Sequence, residues 1–496
     1  MLFLQYLLLL THSLTVRQIP AGTSLHIRLT TTLGSYASKA GTPIQAILIA
    51  PVSVDGRIVL PAGSKLSGQV KAVSRVGLGI RHETASLTLE FNHLNLPGQD
   101  ALPLSARVSQ IDNAIERVTR DGRIRGLRAT DSGGYRVSGY VRMALLRCEM
   151  HAALAVWLVK SAVIKVAEPE IYFPAGSELT LTITEPLRPK AIPSAPSIRP
   201  DFSDTERGEL SHIVSRLPAR TYAPESHRDS DLTNVLLIGS REEVALAFQA
   251  AGWTEALPAS VRRRLRWLRA IGERRGFSSA PMSPLLLNGV VPDMCWEKSL
   301  NDVSKRHHVR LWKQPGEWNG RDLWIGAATH DVDLAYLRPG QYFTHKIARE
   351  VDEEREKIAY DLAFTSCAAI VDRIDRPGEP RFAQNGTGDL MTTDGRIVAV
   401  QLNRCVAPRL YNETVDTAPV PVHGGRWAVF ARREILSARN DLLRDNWYWR
   451  SYEAARIVIQ YMRVRLRTSS GVKSFLQSFR PAALREPALE QASVMP

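Results

Sequence analysis

Residues 303–364 crowd histidines, carboxylates and arginines into one stretch of a 496-residue chain. The candidates for chemistry are His308, Arg310, His330, Asp331, His345, Asp352, Glu354 and Arg355. Three kinds of chemistry fit them. His308, His330 and His345, with Asp331 or Asp352, can ligate a divalent metal that activates water. The compact H-E-x-x-H arrangement of such sites is absent. Alternatively, the arginines grip a phosphate while a histidine serves as nucleophile or as acid and base. In the third reading the cluster is a buried ion-pair and hydrogen-bond network, with Asp352 or Glu354 against Arg310 or Arg355. No Gly-x-Ser-x-Gly elbow, phosphate loop or dinucleotide fingerprint marks a standard enzyme class, so catalysis stays open.

A shared site needs elements that bring these side chains together. Arg306 to Trp312 alternates like a strand, with His307, Val309 and Leu311 on one face and His308, Arg310 and Trp312 on the other. A turn at Trp318-Asn319-Gly320 leads to a second strand, Leu323 to Ala328, ending on Thr329-His330-Asp331. After Pro339-Gly340, Thr344 is placed to cap a helix from His345 to about Phe364, lining up His345, Arg349, Asp352 and Glu356. A hairpin crossed by that helix would bring the three histidines within roughly 8–10 Å, a few hydrogen-bond lengths. Upstream, Val235 to Ile238 reads as a buried strand, and Ser240-x-x-Glu243 as a capping box that starts a helix through about Ala251. Gly239 between them reads as a tight turn rather than an anion cradle. Residues 386–402 read as a turn into a final strand. Strand, turn and capped helix predict an α/β or α+β layer.

Over about residues 220–404 the pattern resembles the LssY C-terminal domain family, a bacterial domain of unsettled activity. The resemblance is carried by RHHVRLW (306–312), WIGAATHD (324–331), Thr344 and His345 followed by Asp352, Glu354 and Arg355, and TDGR (393–396), with NVLLIGS (234–240) and AAGW (250–253) upstream. Ala348 departs from the family pattern, which often has an acid there. Some members resemble fusions to lipid-phosphatase-type membrane segments, which implies a phosphorylated lipid as one substrate class. The phosphatase signature itself is absent here.

The remaining chain divides as follows. Residues 1–16 form a short apolar run without a basic start or cleavage site, read as a signal peptide or anchor remnant. Residues 17–188 are read as a β-rich, barrel-like domain with a helical insertion at 139–167, in which His151 is a core or flank histidine. A phrase recurs before strands: IPAGTSLHIRL (19–29), LPAGSKLSGQV (60–70) and FPAGSELTLTI (173–183). The recurrence predicts one sheet whose last strand returns after an excursion. Residues 18–107 also resemble the β-barrel domain of the outer component of type IV secretion and conjugation channels, which implies an envelope location. Residues 108–138 read as a mobile loop, and 189–219 as a Pro/Ser-rich linker. The basic segment 261–275 reads as a helix with a solvated face. Residues 405–496 form a basic, aromatic extension, with 446–467 read as a packed helix.

The predicted fold class is therefore multidomain: an all-β barrel-like module with a helical insertion, then an α/β (α+β) LssY-type domain. The net charge of +14, with 44% hydrophobic and 23% charged residues, describes a globular chain drawn to anionic partners. A lipid head group or phosphorylated ligand fits; no zinc finger, helix–turn–helix or RNA-binding signature points to nucleic acid. The four cysteines (148, 295, 367 and 405) lack metal-finger spacing and read as scattered buried thiols, although export would allow pairing. The expectation is an exported protein, periplasmic or membrane-associated, whose LssY-type domain binds an anionic envelope component. The alternative is a hydrolase of phosphoesters or lipids, possible with a divalent metal.

Overall fold

The computed structural model describes, apart from short interruptions, residues 18–128, 169–189, 201–256, 284–336 and 343–405, with isolated positions elsewhere. Residues 1–77 and 81–430 form one compact unit, and residues 78–80 with 431–496 a second. The leader at 1–16, the insertion at 139–167, and most of 261–275 and 446–467 lie outside the described residues. Among the described residues no helix is long and apolar enough to cross a membrane.

The N-terminal strands are β1 (Ser24–Leu29), β2 (Leu33–Gly34), β3 (Pro43–Leu48), β4 (Val52–Val54), β5 (Arg57–Leu60), β6 (Lys65–Ser74), β7 (Ser86–Asn95), β8 (Leu102–Ile111), β9 (Arg117–Val118), β10 (Arg123–Arg125), β11 (Tyr172–Phe173) and β12 (Glu178–Ile183). Six of them close into a barrel in the order β6-β3-β1-β12-β8-β7, because β6 also pairs with β7. The three recurrent phrases are three copies of one turn. Gly22, Gly63 and Gly176 each have φ near +90°, which glycine reaches without strain. The hydroxyls of Thr23, Ser64 and Ser177 donate to the carbonyls of Pro20, Pro61 and Pro174 at 2.7, 2.7 and 2.8 Å. Each turn launches a barrel strand (β1, β6 and β12), and β12 returns to pair with β1 across a long excursion. Leu25, Ile27 and Leu29 alternate with outward residues and are fully buried. Arg28 faces outward by that alternation, yet it is 1% exposed. Something covers the barrel there.

The cover belongs to a second sheet with its helices, one of which brings Asp361 and Phe364 onto Arg28. Its strands are β13 (Arg220–Ala223) and β14 (Arg228–Leu232), a separate pair, then β15 (Val235–Ile238), β16 (Thr254–Glu255), β17 (Met294–Lys298), β18 (Arg306–Trp318), β19 (Arg321–Tyr336), β20 (Phe343–Ile347), β21 (Ala368–Asp375), β22 (Phe382–Gln384), β23 (Leu390–Thr392) and β24 (Arg396–Leu402). The main sheet runs β16-β17-β18-β19-β15-β24-β21, with β20 on β19. Only β15 and β24 pair in parallel among these. Helices α1 (Asp204–Arg216), α2 (Arg241–Ala250) and α3 (Val351–Phe364) accompany it. Val235 and Leu237 bury against α2 and α3 residues such as Val244, Phe248, Ile358 and Leu362. Leu236 and Ile238 bury against Leu210 and Val214 of α1 on the other face. A strand covered on both faces explains why its sequence is an unbroken apolar run.

Several expectations shift. The predicted capping box is present, Ser240 and Glu243 bonding reciprocally at the start of α2. Helix α3 starts at Val351 and not near His345, because Phe343–Ile347 pairs along β19. Asp352, Glu353 and Glu354 fill its first turn, where the helix dipole favours negative charge. The second hairpin strand is longer than Leu323–Ala328, and Asn319 and Gly320, both at positive φ, make its turn. Residues 189–219 contain helix α1 behind its own capping box at Ser203 and Glu206. The loop read over 108–138 holds strands β9 and β10 in its described part. Glu243 and Arg321 close around Gly239, so that turn cradles no anion.

Cys367 and Cys405 form a disulfide, overturning the reading of four free thiols; Cys295 is free. The bond ties the start of β21 to the residues just past β24, closing a loop with a sequence separation of 38. Cys367→Ser should lower stability to denaturant by about 2–4 kcal/mol, by the loop-entropy argument. Equilibrium unfolding of both proteins with and without reductant checks this. Reductant should weaken the wild type to the variant's level and leave the variant unchanged.

Candidate functional site

The hairpin of β18 and β19 carries most of the predicted residues, and its register decides which of them meet. His307 lies opposite His330, His308 opposite Thr329, and Arg306 opposite Asp331. Neighbours along a strand point to opposite faces, so His330 and Asp331 cannot serve one site. The eight candidates divide among three places.

On the face away from α3, Asp331 is the hub. Its carboxylate accepts from Arg306 Nε at 2.8 Å and meets His308 Nε2 at 3.0 Å and His345 Nδ1 at 3.5 Å. Arg306 also reaches Glu297 at 2.8 Å, and Arg310 reaches Asp231 at 3.3 Å. Burial opposes the charge on Asp331, but His308, His345 and Arg306 hold its carboxyl well below the usual range. Burial takes His345 down to about 4. Arg306, His308, Arg310 and Asp331 are each less than 5% exposed. This part of the cluster is the buried network of the third reading. His308 and His345 do converge, through Asp331.

Arg355 and Asp352 sit elsewhere, where α3 meets the turn before β24. Arg355 pairs with Asp352 at 3.1 Å and Asp394 at 2.7 Å, and donates to the Arg396 carbonyl at 2.7 Å. Asp352 accepts from the Thr393 hydroxyl and the Asp394 amide. The TDGR motif is thus a helix-to-turn clamp.

The face toward α3 and the barrel holds His330 and Glu354, together with His307 and Asp112. His307 is bonded on both nitrogens, Nδ1 to Glu354 at 2.6 Å and Nε2 to Asp112 at 2.8 Å. Burial would lower its pKa, but the charges and hydrogen bonds of Asp112 and Glu354 hold it up at about 10. Burial and the neighbouring His307 cation push His330 down to about 3. A charged and a neutral imidazole therefore stack, centroids 4.2 Å apart. His330 Nε2 lies 2.9 Å from Asn113 Oδ1. Beside them the outward Arg28 finds its cover. Arg28, Lys298 and Lys357 surround Glu178 of β12 and Asp361 of α3, with Lys357 at 2.7 and 2.8 Å from the two acids. Trp253 Nε1 donates to Asp361 at 2.8 Å.

This face opens into a cleft of about 550 Å³ between β1, β8 and β12 of the barrel and helix α3. Asp112, His307 and His330 line it, as do Glu350, Glu353 and Tyr360. Sequence reasoning placed His307 on an apolar face and missed Asp112. A strict two-residue alternation would have paired His307 with His330; nothing local marks Asp112.

Residues 215–397 match the family model LssY C-terminus. That region contains helices α2 and α3 and the second sheet up to the first residues of β24, and its RHHVRLW and WIGAATHD motifs are the hairpin that carries both faces. No curated protein matches the chain. One similar solved structure is ComB10 of the Com type IV secretion system of Helicobacter pylori, at 13% identity, covering 34% of this chain and 89% of that one. Its TM-score is 0.20, too low to carry an argument. The barrel closure stands on the strand pairing alone.

The titrations around the LssY-type hairpin set the pH dependence of stability. His307 is held at about 10 against an ordinary 6.5, so its contribution is full below pH 6.5 and is lost as pH rises to 10. His330 and His345, held near 3 and 4, contribute above pH 6.5 and lose that contribution as pH falls. Thermal unfolding should therefore be most resistant near pH 6.5. His307→Gln, which leaves buried carboxylates unpaired, should destabilise by about 3–5 kcal/mol near that pH. The gap to wild type should narrow toward pH 10; a gap constant over that range would reject the assignment of charge to His307.

Proposed function

We propose that the chain is an envelope-associated binding protein that holds its ligand in the cleft between the barrel and helix α3. The observation that carries this reading is a cleft of about 550 Å³ walled by both parts, with polar side chains aimed into it. His307 is saturated by two carboxylates, so it offers no free nitrogen to act as a base. Binding is favoured over hydrolysis for that reason.

The wall chemistry selects the ligand. Asp112, Glu350, Asp352, Glu353 and Glu356 line the cleft against Lys357. Glu350 and Glu353 are exposed, and their side chains have no hydrogen-bond or ion-pair partner among the described residues. Such a wall attracts a cationic group, in spite of the chain's overall charge of +14. The anionic envelope component expected from that charge fits a different surface. Arg117, Arg120, Arg123 and Arg125 are exposed on the β9–β10 ribbon, where Arg117 lies directly opposite Arg125. Like charges so paired are favoured by an anion between them.

Location rests on the disulfide together with the apolar leader. Disulfides persist in oxidising compartments, which supports a periplasmic or membrane-associated protein. Cells quenched with a thiol-alkylating reagent should yield Cys367 and Cys405 unalkylated, from the periplasmic or membrane fraction. A cytoplasmic protein alkylated at both would reject the envelope assignment.

For the cleft, the full chain should bind spermidine, measured calorimetrically in the presence of EDTA. Glu353→Lys should weaken that binding about tenfold, an effect of ~1.4 kcal/mol, and leave the melting temperature within a degree or so. Absence of spermidine binding, or binding indifferent to Glu353→Lys, would remove the cationic-ligand reading.

A further inference from the structure

We infer that Asp112, His307 and His330 form a site for a divalent transition-metal ion at the floor of the cleft. The inference takes from the reading above only that the cleft is open to solvent. One ligand atom from each residue lies within 4.8 Å of the others. The histidines differ from ordinary buried ones in how their rings are held. His307 Nδ1 is bound to Glu354 at 2.6 Å, and His330 Nε2 faces Asn113 Oδ1 at 2.9 Å. In each ring one nitrogen is fixed by a protein oxygen, the arrangement that sets the tautomer and orientation of a ligating imidazole. The other nitrogens are His307 Nε2, which an ion would take in exchange for its proton, and His330 Nδ1. The first now meets Asp112 at 2.8 Å, and the second has no hydrogen-bond partner among the described residues.

An ion at this point takes the place of the His307 Nε2 proton, so one proton leaves as the ion binds. The Asp112 carboxylate then becomes a ligand in place of an ion-pair partner, and its charge is not displaced. The edges of a tetrahedral site are roughly 3.3 Å for ligands near 2.0–2.1 Å. The cleft side stays open, leaving a coordination position for water or ligand. Two imidazoles and one carboxylate suit Zn²⁺, Co²⁺ or Ni²⁺ and not Mg²⁺ or Ca²⁺, which prefer oxygen ligands. Asp112 comes from the barrel and the histidines from the LssY-type sheet, so the ion would bridge the two. The set first suggested by sequence (His308, His330 and His345) does not serve, because His330 lies on the other face of the hairpin.

The test is a titration of chelator-treated full-length protein with Zn²⁺ and Co²⁺, without spermidine. One equivalent should bind, and the heat should vary with the buffer's ionisation enthalpy as expected for release of a proton. Mg²⁺ should not bind. Asp112→Asn and His330→Asn should weaken Zn²⁺ at least a hundredfold, Glu354→Gln about 10–100-fold, and the exposed His227→Asn not at all. Should a variant fail to fold, X-ray absorption of the wild-type Co²⁺ complex decides the question: two imidazoles with oxygen donors support the site, and sulfur or no imidazole overturns it. Failure of the wild type to bind stoichiometrically also overturns it. So does undiminished binding by folded Asp112→Asn. Spermidine binding is measured in EDTA, so either result can fail without the other.

Discussion

The two halves of this molecule meet on buried charge. Arg28 and Glu178 face outward from the barrel in register, and Lys298, Lys357 and Asp361 come to them from the second sheet and α3. Taking ions out of water costs several kcal/mol each, and that cost is offset only when every ion is paired in good geometry. Here each acid meets all three cations, Asp361 takes an indole N–H as well, and Arg28 lies 5.4 Å from the centre of the Phe364 ring. Three cations against two acids leave an excess of one positive charge. Asp112 feels both groups, since the His307 cation and, less strongly, Lys357 hold its carboxyl well below the ordinary range despite burial. The knot and the His307 site are therefore one electrostatic system. An apolar seam could slide by a few ångströms; this one has a single register.

Much of the fold could be read along the chain because its signals are local. The Pro-Ala-Gly-Ser/Thr turns demand a residue at positive φ, and glycine stands at the third position each time. The Ser240–Glu243 box and the all-apolar Val235–Ile238 strand are equally self-contained. The start of α3 was misjudged for a reason that is not local. Thr344 is an acceptable cap, but the free edge of the long strand β19 offers Phe343–Ile347 a ladder of backbone hydrogen bonds. Sheet pairing won over helix propensity, as tertiary context often does.

The site was legible only in part. Residue types, rough proximity and the two faces of Arg306–Trp312 are available in the sequence; the same alternation is not carried on to His330 and Asp331. Asn319-Gly320 sets a tight hairpin, and a register shift between Lys313 and Glu317 moves the pairing by two residues. Because a shift of two preserves the faces, His308 stays with Asp331 and His307 with His330 whichever register is chosen. The strand period alone thus separates the catalytic-looking motif into a structural hub and a cleft-facing pair. What no period reveals is Asp112, nearly two hundred residues upstream in sequence and 2.8 Å from His307 in space.

That long reach bears on where function resides. Residues 215–397 carry the family match, yet they do not complete their own site. Asn113 bonds to the Lys298 carbonyl and faces His330, Ile115 and Glu116 engage Asn301, and Lys305 donates to the Ala114 carbonyl. Burial drives Glu116 up to about 7 at that joint, so it is largely a neutral acid when the interface is mildly acidic. Without the barrel, Lys298, Lys357 and Asp361 would lose Arg28 and Glu178, and His307 would lose one of its two acids. The LssY-type sheet supplies the histidines, and the barrel supplies the carboxylate that sets their charge. The binding activity proposed for the cleft would accordingly be a property of the pair.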